Sequence, residues 1–307
     1  MRIAAMAAGA VGSYFGGRLA AAGHDVGFIA RRANLEALRK NGLKIESTHG
    51  DLQLPKVNAT DDPRQIGPVD IVLFAVKLWD TETAAELTRP MVGPQTRVIT
   101  LQNGVDSYER VSAVLGKEVT VPGTSYIAAV LGDPGVMLHT SKFATMRCGR
   151  MDGAPDAQLN AFVAAAKAAN IDIQPQTDMN RERWQKFIFL SAMAGANCAT
   201  RLAIGKILAD PDTRAFYRRL MEECLKVGQA TGAKVPDSWI DDRMTFSDAA
   251  PPGMKASMLH DLEAGNRLEL DWLTGKIVEL GKRHGIPTPA SEPVYTMVKL
   301  HRMGRQA

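Results

Sequence analysis

The feature that most constrains this chain lies at its start. The apolar residues 3–7 run without a break into Ala8-Gly9-Ala10-Val11-Gly12 and then into a helix-forming stretch that reaches residue 22. A strand that turns into a helix over two such glycines leaves the first amides of the helix facing outward, uncovered by side chains, which suits an anion. In a βαβ unit this is the position of a dinucleotide pyrophosphate: Gly9 lets the backbone approach the phosphates, and Gly12 lets the helix pack closely on the strand. The pattern departs at its first position, where Ala7 replaces a glycine. Alanine holds that turn only while its φ stays negative. Alone, the two-glycine pattern is equally well explained by a plain helix start. The same run superficially resembles a secretory leader, but glycine and alanine stand where such a leader carries leucine, so a cytoplasmic location is expected.

The segments after the turn raise its weight. Residues 26–30, 71–76 and 98–102 read as buried strands alternating with helical patterns at 10–22, 34–41 and 81–91, the mark of βαβ units and a parallel sheet. Segments 44–47 and 52–57 form a small hairpin, and 120–130 with 136–149 form a larger one around Gly132-Asp133-Pro134-Gly135. A helix at 156–169 and a strand at 171–174 complete this half. After Pro175 the strand-like runs stop, and helical periods take over at 178–200, 211–231, 268–284 and from Pro287 to about Met303. We therefore expect an α/β, Rossmann-like dinucleotide-binding domain over residues 1–175 and an all-α domain over 176–307.

Composition narrows the partners. With 37 Lys and Arg against 33 Asp and Glu, the net charge of +4 is too small and too dispersed to indicate nucleic acid, and no apolar run approaches the length of a membrane span. Cys148, Cys198 and Cys224 lie far apart with no Cys/His pairing, so neither a disulfide framework nor a metal site is indicated. The partner to look for is a small anionic molecule. The alanine-rich helical half also offers a surface for a homodimer.

The second strand ends at Ala30-Arg31-Arg32, where folds that prefer NAD place an acidic residue. Guanidinium groups there suit the 2′-phosphate of NADPH, while the alternative is a solvated pair at a helix entrance. Two further loops come after strand ends on the same sheet edge. They carry Lys77 and Asn103, which read either as ligand contacts or as an exposed lysine and an Asn-Gly turn. In the helical half, Lys186 heads a helix that becomes almost wholly apolar. Such a group either reaches back to water or sits in a dry site, where its ammonium can donate a proton to a ketone oxygen. Ser257, Asp261, Glu263, Glu269 and Asp271 form the other polar cluster, and caps and solvated carboxylates explain most groups of that kind.

Taken in order, Gly9-Ala10-Val11-Gly12, Ala30-Arg31, Val76-Lys77, Gln102-Asn103-Gly104, Trp184-Gln185-Lys186, Ser257 with Asp261, and Glu269-Leu270-Asp271 resemble the ketopantoate reductase (2-dehydropantoate 2-reductase) family over nearly the whole chain. The resemblance implies a Rossmann-like domain followed by a helical domain like that of 6-phosphogluconate dehydrogenase. It implies hydride transfer from NADPH to a 2-oxo acid, ketopantoate, giving pantoate for pantothenate synthesis. Lys186 would be the general acid, and Glu269 would orient the substrate hydroxyl or support the lysine. Asn103 and Ser257 would bind substrate. Ala7, Ala8, Gly9, Ala10, Val11, Gly12, Arg31, Lys77 and Asn103 would hold the cofactor. One departure bears on the substrate: family members place asparagines four and eight residues after the catalytic lysine, and here Leu190 and Ala194 stand there. The nearest polar residues, Ser191 and Asn197, fall on other parts of the helix turn. The expectation is thus a reductase of ketopantoate or of another 2-oxo acid, with a non-catalytic NADPH-binding regulator as the alternative.

Overall fold

Strand β1 (Arg2–Met6) shows how the N-terminal half is layered. Its residues alternate between two cores: Ile3 and Ala5 face one, Ala4 and Met6 the other. Such a strand is covered on both sides, and this is why it reads as one continuous apolar run. The computed structural model describes residues 1–305 and divides into two units, Met1–Met179 and Asn180–Ala307.

In the first unit β1 is followed by α1 (Ala10–Ala21), β2 (Asp25–Ile29), α2 (Arg32–Asn41), β3 (Leu43–Ser47), β4 (Leu52–Leu54), β5 (Asn58–Thr60) and β6 (Val69–Phe74). Next come α3 (Thr81–Thr88), β7 (Val92–Thr100), α4 (Ser107–Leu115), β8 (Thr120–Leu131), β9 (Val136–Cys148), α5 (Ala157–Ala168) and β10 (Asp172–Pro175). The ten-stranded sheet runs β4-β3-β9-β8-β7-β6-β1-β2-β5, with β10 added on β9. Strands β7, β6, β1, β2 and β5 are mutually parallel, as helical crossovers require. Helix α1 lays Tyr14, Phe15 and Leu19 on one face of the sheet, while α3 and α4 bring Ala84, Ala85 and Val111 to the other.

The second unit is all helical: α6 (Met179–Thr200) begins at the division, followed by α7 (Ile204–Ala209), α8 (Pro211–Ala230), α9 (Trp239–Ala249), α10 (Ser257–Ala264), α11 (Thr274–His284) and α12 (Ser291–Val298). This is the α/β-then-α architecture read from the sequence. None of these helices is long and apolar enough to cross a membrane.

Several elements differ from expectation. Helix α4 was not foreseen, since its buried Tyr108 and Val111 are set among polar residues directly after an Asn-Gly turn. Helices α7, α9 and α10 are short and were also missed, although Ile240, Met244 and Ser247 of α9 carry a helical stripe. The single helix expected over 268–284 is broken: a 3₁₀ turn at Leu270–Trp272 ends at Leu273 (φ −106°, ψ −99°) before α11 starts. The break brings Gly275 against the Tyr295 ring and the Leu270 carbonyl, so closely that a side chain there would collide with the ring.

Candidate functional site

The parallel register places four chain segments at one edge of the sheet. Met6 pairs with Ile29 and with Phe74, and Phe74 pairs with Thr100, so the chain leaves β1, β2, β6 and β7 side by side at their carboxyl ends. The four exits are the Ala7–Gly12 turn, Ala30 to Arg32, Ala75 to Lys77, and Leu101 to Asn103. This is the edge at which open α/β sheets bind ligands.

The glycine turn has two distinct glycines. A Cβ on Gly12 would run into the Ala7 carbonyl oxygen, which is backbone and cannot swing aside. Only glycine lets α1 start this close to the end of β1. Gly9 caps α1 in an extended conformation (φ −79°, ψ −170°), and a Cβ there would point into open space with nothing within 4 Å. No side chain caps the helix, and among the described residues no bond occupies the amides of Gly9, Ala10, Val11 or Gly12. Open space above uncapped helix-start amides fits a dinucleotide's phosphates. Ala7, the departure from the three-glycine pattern, lies outside the left-handed region, so alanine is tolerated in the turn. The Ala8 amide donates to the Ile29 carbonyl (2.7 Å), tying the turn to the end of β2.

Arg31 caps α2 from that end, and Arg32 follows in the left-handed region (φ 54°). Both side chains are exposed, and neither makes an ion pair with a described residue. Lys77 is exposed after β6, with its Nζ 5.6 Å from the centre of the Trp79 ring. Asn103 is half-buried after β7, and its carbonyl accepts from Ser107 Oγ (3.4 Å). The following Gly104 has φ 86°, a conformation that favours glycine.

In the helical unit, α6 is anchored by Trp184, which packs edge-on against Phe187 (5.5 Å between ring centres) and closely over Gly228 of α8. Lys186, on the next face, is half-buried. Burial draws its pKa down to about 8, against the opposing pull of Glu182 and then Glu269. Those two carboxylates are 4% and 5% exposed. Loss of water destabilises the ammonium and the two anions restore it in part, a balance typical of acid–base sites. The sequence reading singled out Lys186 and Glu269 but missed Glu182, whose signal was its spacing of four residues before the lysine, one helical turn away.

The rest of the polar cluster separates. Glu263 accepts from Lys255 (2.7 Å), Asp271 from the Tyr295 hydroxyl (2.9 Å), and Asp261 from Asn266 (3.2 Å). Ser257 is exposed on the first turn of α10. Its loop is held by Asn197, which accepts from the Ala256 amide (2.8 Å) and donates to the Leu202 carbonyl (2.8 Å). Asn197 is therefore engaged at both ends of its amide in shaping the loop. Leu190 lies half-buried on the same part of α6 as Lys186, whereas Ala194 is fully buried. Among the described residues no group of three or more His, Cys, Asp or Glu could hold a metal ion.

Comparison with known proteins agrees over both units. The sequence profile "Ketopantoate reductase PanE/ApbA" matches residues 3–153, and its C-terminal companion matches residues 178–302. The 2-dehydropantoate 2-reductase of Caulobacter vibrioides is 32% identical over 296 residues, covering 96% of this chain and 97% of its own. An uncharacterized oxidoreductase of Bacillus subtilis is 28% identical over 302 residues, covering 98% and 99%. Among solved structures, the 2-dehydropantoate 2-reductase of Geobacter metallireducens superposes with a TM-score of 0.91 at 31% identity, covering 98% and 99%. A D-mandelate dehydrogenase with NADH shares the fold at 16% identity (TM-score 0.89, covering 98% of each chain). Both units, the sheet edge and the lysine helix thus place this chain in the ketopantoate reductase family, a family of dinucleotide-binding oxidoreductases.

Proposed function

We propose that this protein reduces a 2-oxo acid to the 2-hydroxy acid with NADPH, and that 2-dehydropantoate (ketopantoate) is the first substrate to test, which would place the chain in pantothenate synthesis. The observation that carries this reading is Lys186, with its pKa drawn to about 8 by burial while two buried carboxylates support its charge. A group of that strength is protonated at neutral pH yet gives up its proton more readily than an ordinary lysine.

When bound, NADPH supplies the hydride. The chain's own residues do the rest. The amides of the Gly9–Gly12 turn hold the phosphates, and Arg31 with Arg32 selects the 2′-phosphate by charge-assisted hydrogen bonds. Lys77 would serve the nicotinamide ribose, and Asn103 and Ser257 would bind the substrate. Lys186 Nζ donates to the carbonyl oxygen and passes a proton to it as negative charge gathers there. Glu182 keeps the ammonium charged before transfer, and Glu269 either supports the lysine in the same way or orients a substrate hydroxyl. The apolar Leu190 and the buried Ala194 favour a 2-oxo acid that presents less polar surface than ketopantoate, since a hydroxyl placed there would go unpaired. A homodimer belongs to the same proposal.

The test is NADPH oxidation by the purified protein with a panel of ketopantoate, 2-oxoisovalerate and larger 2-oxo acids, repeated with NADH. We expect turnover with at least one member and preference for NADPH. Turnover with other members but not ketopantoate would remove the named substrate. Tight NADPH binding without turnover on any member would favour the non-catalytic regulator instead.

A further inference from the structure

We propose that Asn34 is a positioning residue of the cofactor cradle, setting the direction of the Gly9 amide by gripping the peptide group that carries it; the inference rests on reading the glycine turn as the NADPH site. Asn34 lies in the first turn of α2, and its side chain is half-buried between two backbone groups from distant parts of the chain. Its Nδ2 donates to the Ala8 carbonyl oxygen (3.0 Å), and its Oδ1 accepts from the Gly135 amide (2.9 Å). One acceptor on one side and one donor on the other leave the amide a single orientation that satisfies both.

Peptide geometry carries the consequence to the cofactor. Ala8 C=O and Gly9 N–H belong to one trans peptide plane and point in opposite directions. Drawing the carbonyl towards Asn34 therefore turns the Gly9 N–H away from α2. The Ala8 amide on the other side is already fixed by the Ile29 carbonyl (2.7 Å), so both ends of this residue are pinned and the turn has little freedom left. An amide aimed in advance needs no reordering when a phosphate arrives.

The second arm ties the cradle to the hairpin. Gly135 precedes β9, has φ 80°, and its own carbonyl accepts from the Lys44 amide at β3 (2.9 Å). A Cβ on Gly135 would press on Ala37 and on the Gly42 carbonyl (3.3 Å each), so this glycine lets the hairpin lie close on α2. Asn34 thus joins the glycine turn, α2 with its exposed arginines, and the β8–β9 hairpin through one side chain.

The test compares wild type with Asn34→Ala, Asn34→Asp and, as a control, Glu36→Ala at an exposed position on α2. NADPH dissociation constants are measured by titration, and kcat and KM are measured with the best 2-oxo acid of the panel. We expect Asn34→Ala to weaken NADPH about tenfold or more, the effect of losing a grip on a buried carbonyl. Its kcat at saturating NADPH and its KM for the 2-oxo acid should stay within about twofold, and Glu36→Ala should match wild type. Asn34→Asp keeps the size and the bond from Gly135 while removing the donor to Ala8, so it carries the test if the alanine variant does not fold. Unchanged NADPH affinity in both variants overturns the inference, as does a loss of kcat with affinity intact. A wild-type protein that binds neither NADPH nor NADH would instead overturn the cofactor reading beneath it.

Discussion

The two glycines of the turn predict opposite responses to the same substitution. In Gly12→Ala the new Cβ falls on the Ala7 carbonyl oxygen and within 3.1 Å of the Ala7 carbonyl carbon. Both are backbone directly after β1, so relief requires moving α1 against β1. Overpacking of this kind costs about 1–3 kcal/mol. In a unit of this size, about 2 kcal/mol lowers Tm by roughly 4–8 °C. In Gly9→Ala the new Cβ meets nothing, and φ −79° is open to alanine. Alanine is a poorer helix cap than glycine by about 0.5–1 kcal/mol, and its smaller unfolded-state entropy returns about as much. The Tm of the free protein should therefore stay within about 3 °C of wild type. NADPH binding should respond the other way, because the methyl group of Gly9→Ala occupies the space above the free amides. Losing one charge-assisted bond there weakens binding about tenfold or more. Thermal unfolding with and without NADPH, with a direct NADPH titration, reads both effects. Gly9→Ala should melt like wild type and lose most of the NADPH-induced rise in Tm. Wild-type NADPH affinity in Gly9→Ala would refute the placement of the phosphates, and wild-type Tm in Gly12→Ala would refute the close contact.

Two further predictions concern ionisation. Lys186 must be protonated to act as an acid, so kcat should fall as pH rises through its value of about 8. Glu182→Gln removes the larger of its two anionic supports. Loss of a nearby opposite charge shifts such a group by about one pH unit or more, so the alkaline limb of kcat should move about one to two pH units towards acid; an unmoved limb would show that Glu182 has no hold on the lysine. In the N-terminal unit, His139 is 3% exposed, with Nδ1 2.8 Å from Ser47 Oγ and Nε2 3.1 Å from the Phe143 carbonyl. Burial first, and the nearby His49 and Arg18 after it, lower its pKa. The unfolded chain therefore takes up this proton first, and stability should drop as pH falls below about 6.5. The lowered Asp156 carboxyl contributes only in the more acidic range. Urea unfolding of His139→Gln should show a flatter dependence between about pH 6.5 and 5, and a slope equal to wild type would count against the assignment.

The central strands were legible because both of their faces are buried, which writes them as unbroken apolar runs: Ile71 and Leu73 face one core, Val72 and Phe74 the other. The short helices were not, since α10 shows only Met258, Leu259 and Leu262 as its buried set. At the site, Lys186 stood out as a charge heading an apolar helix. Glu182 did not, because the apolar body of α6 masks the signal of its polar first turn. Of the five polar residues from Ser257 to Asp271, only the fold could separate the buried Glu269 from Glu263 and Asp271, which bond to Lys255 and Tyr295. Asn34 read as an ordinary helix start. Its partners lie 26 and 101 residues away, beyond the reach of any local pattern.

The proposed chemistry turns on Lys186 as the proton donor, and Lys186→Ala tests it most directly. With the best 2-oxo acid of the panel at saturating NADPH, turnover should fall by about 10²-fold or more, while the dissociation constant for NADPH stays within about threefold of wild type, since the proposed phosphate cradle belongs to the N-terminal unit. Turnover close to wild type in a folded, NADPH-binding Lys186→Ala protein would contradict it.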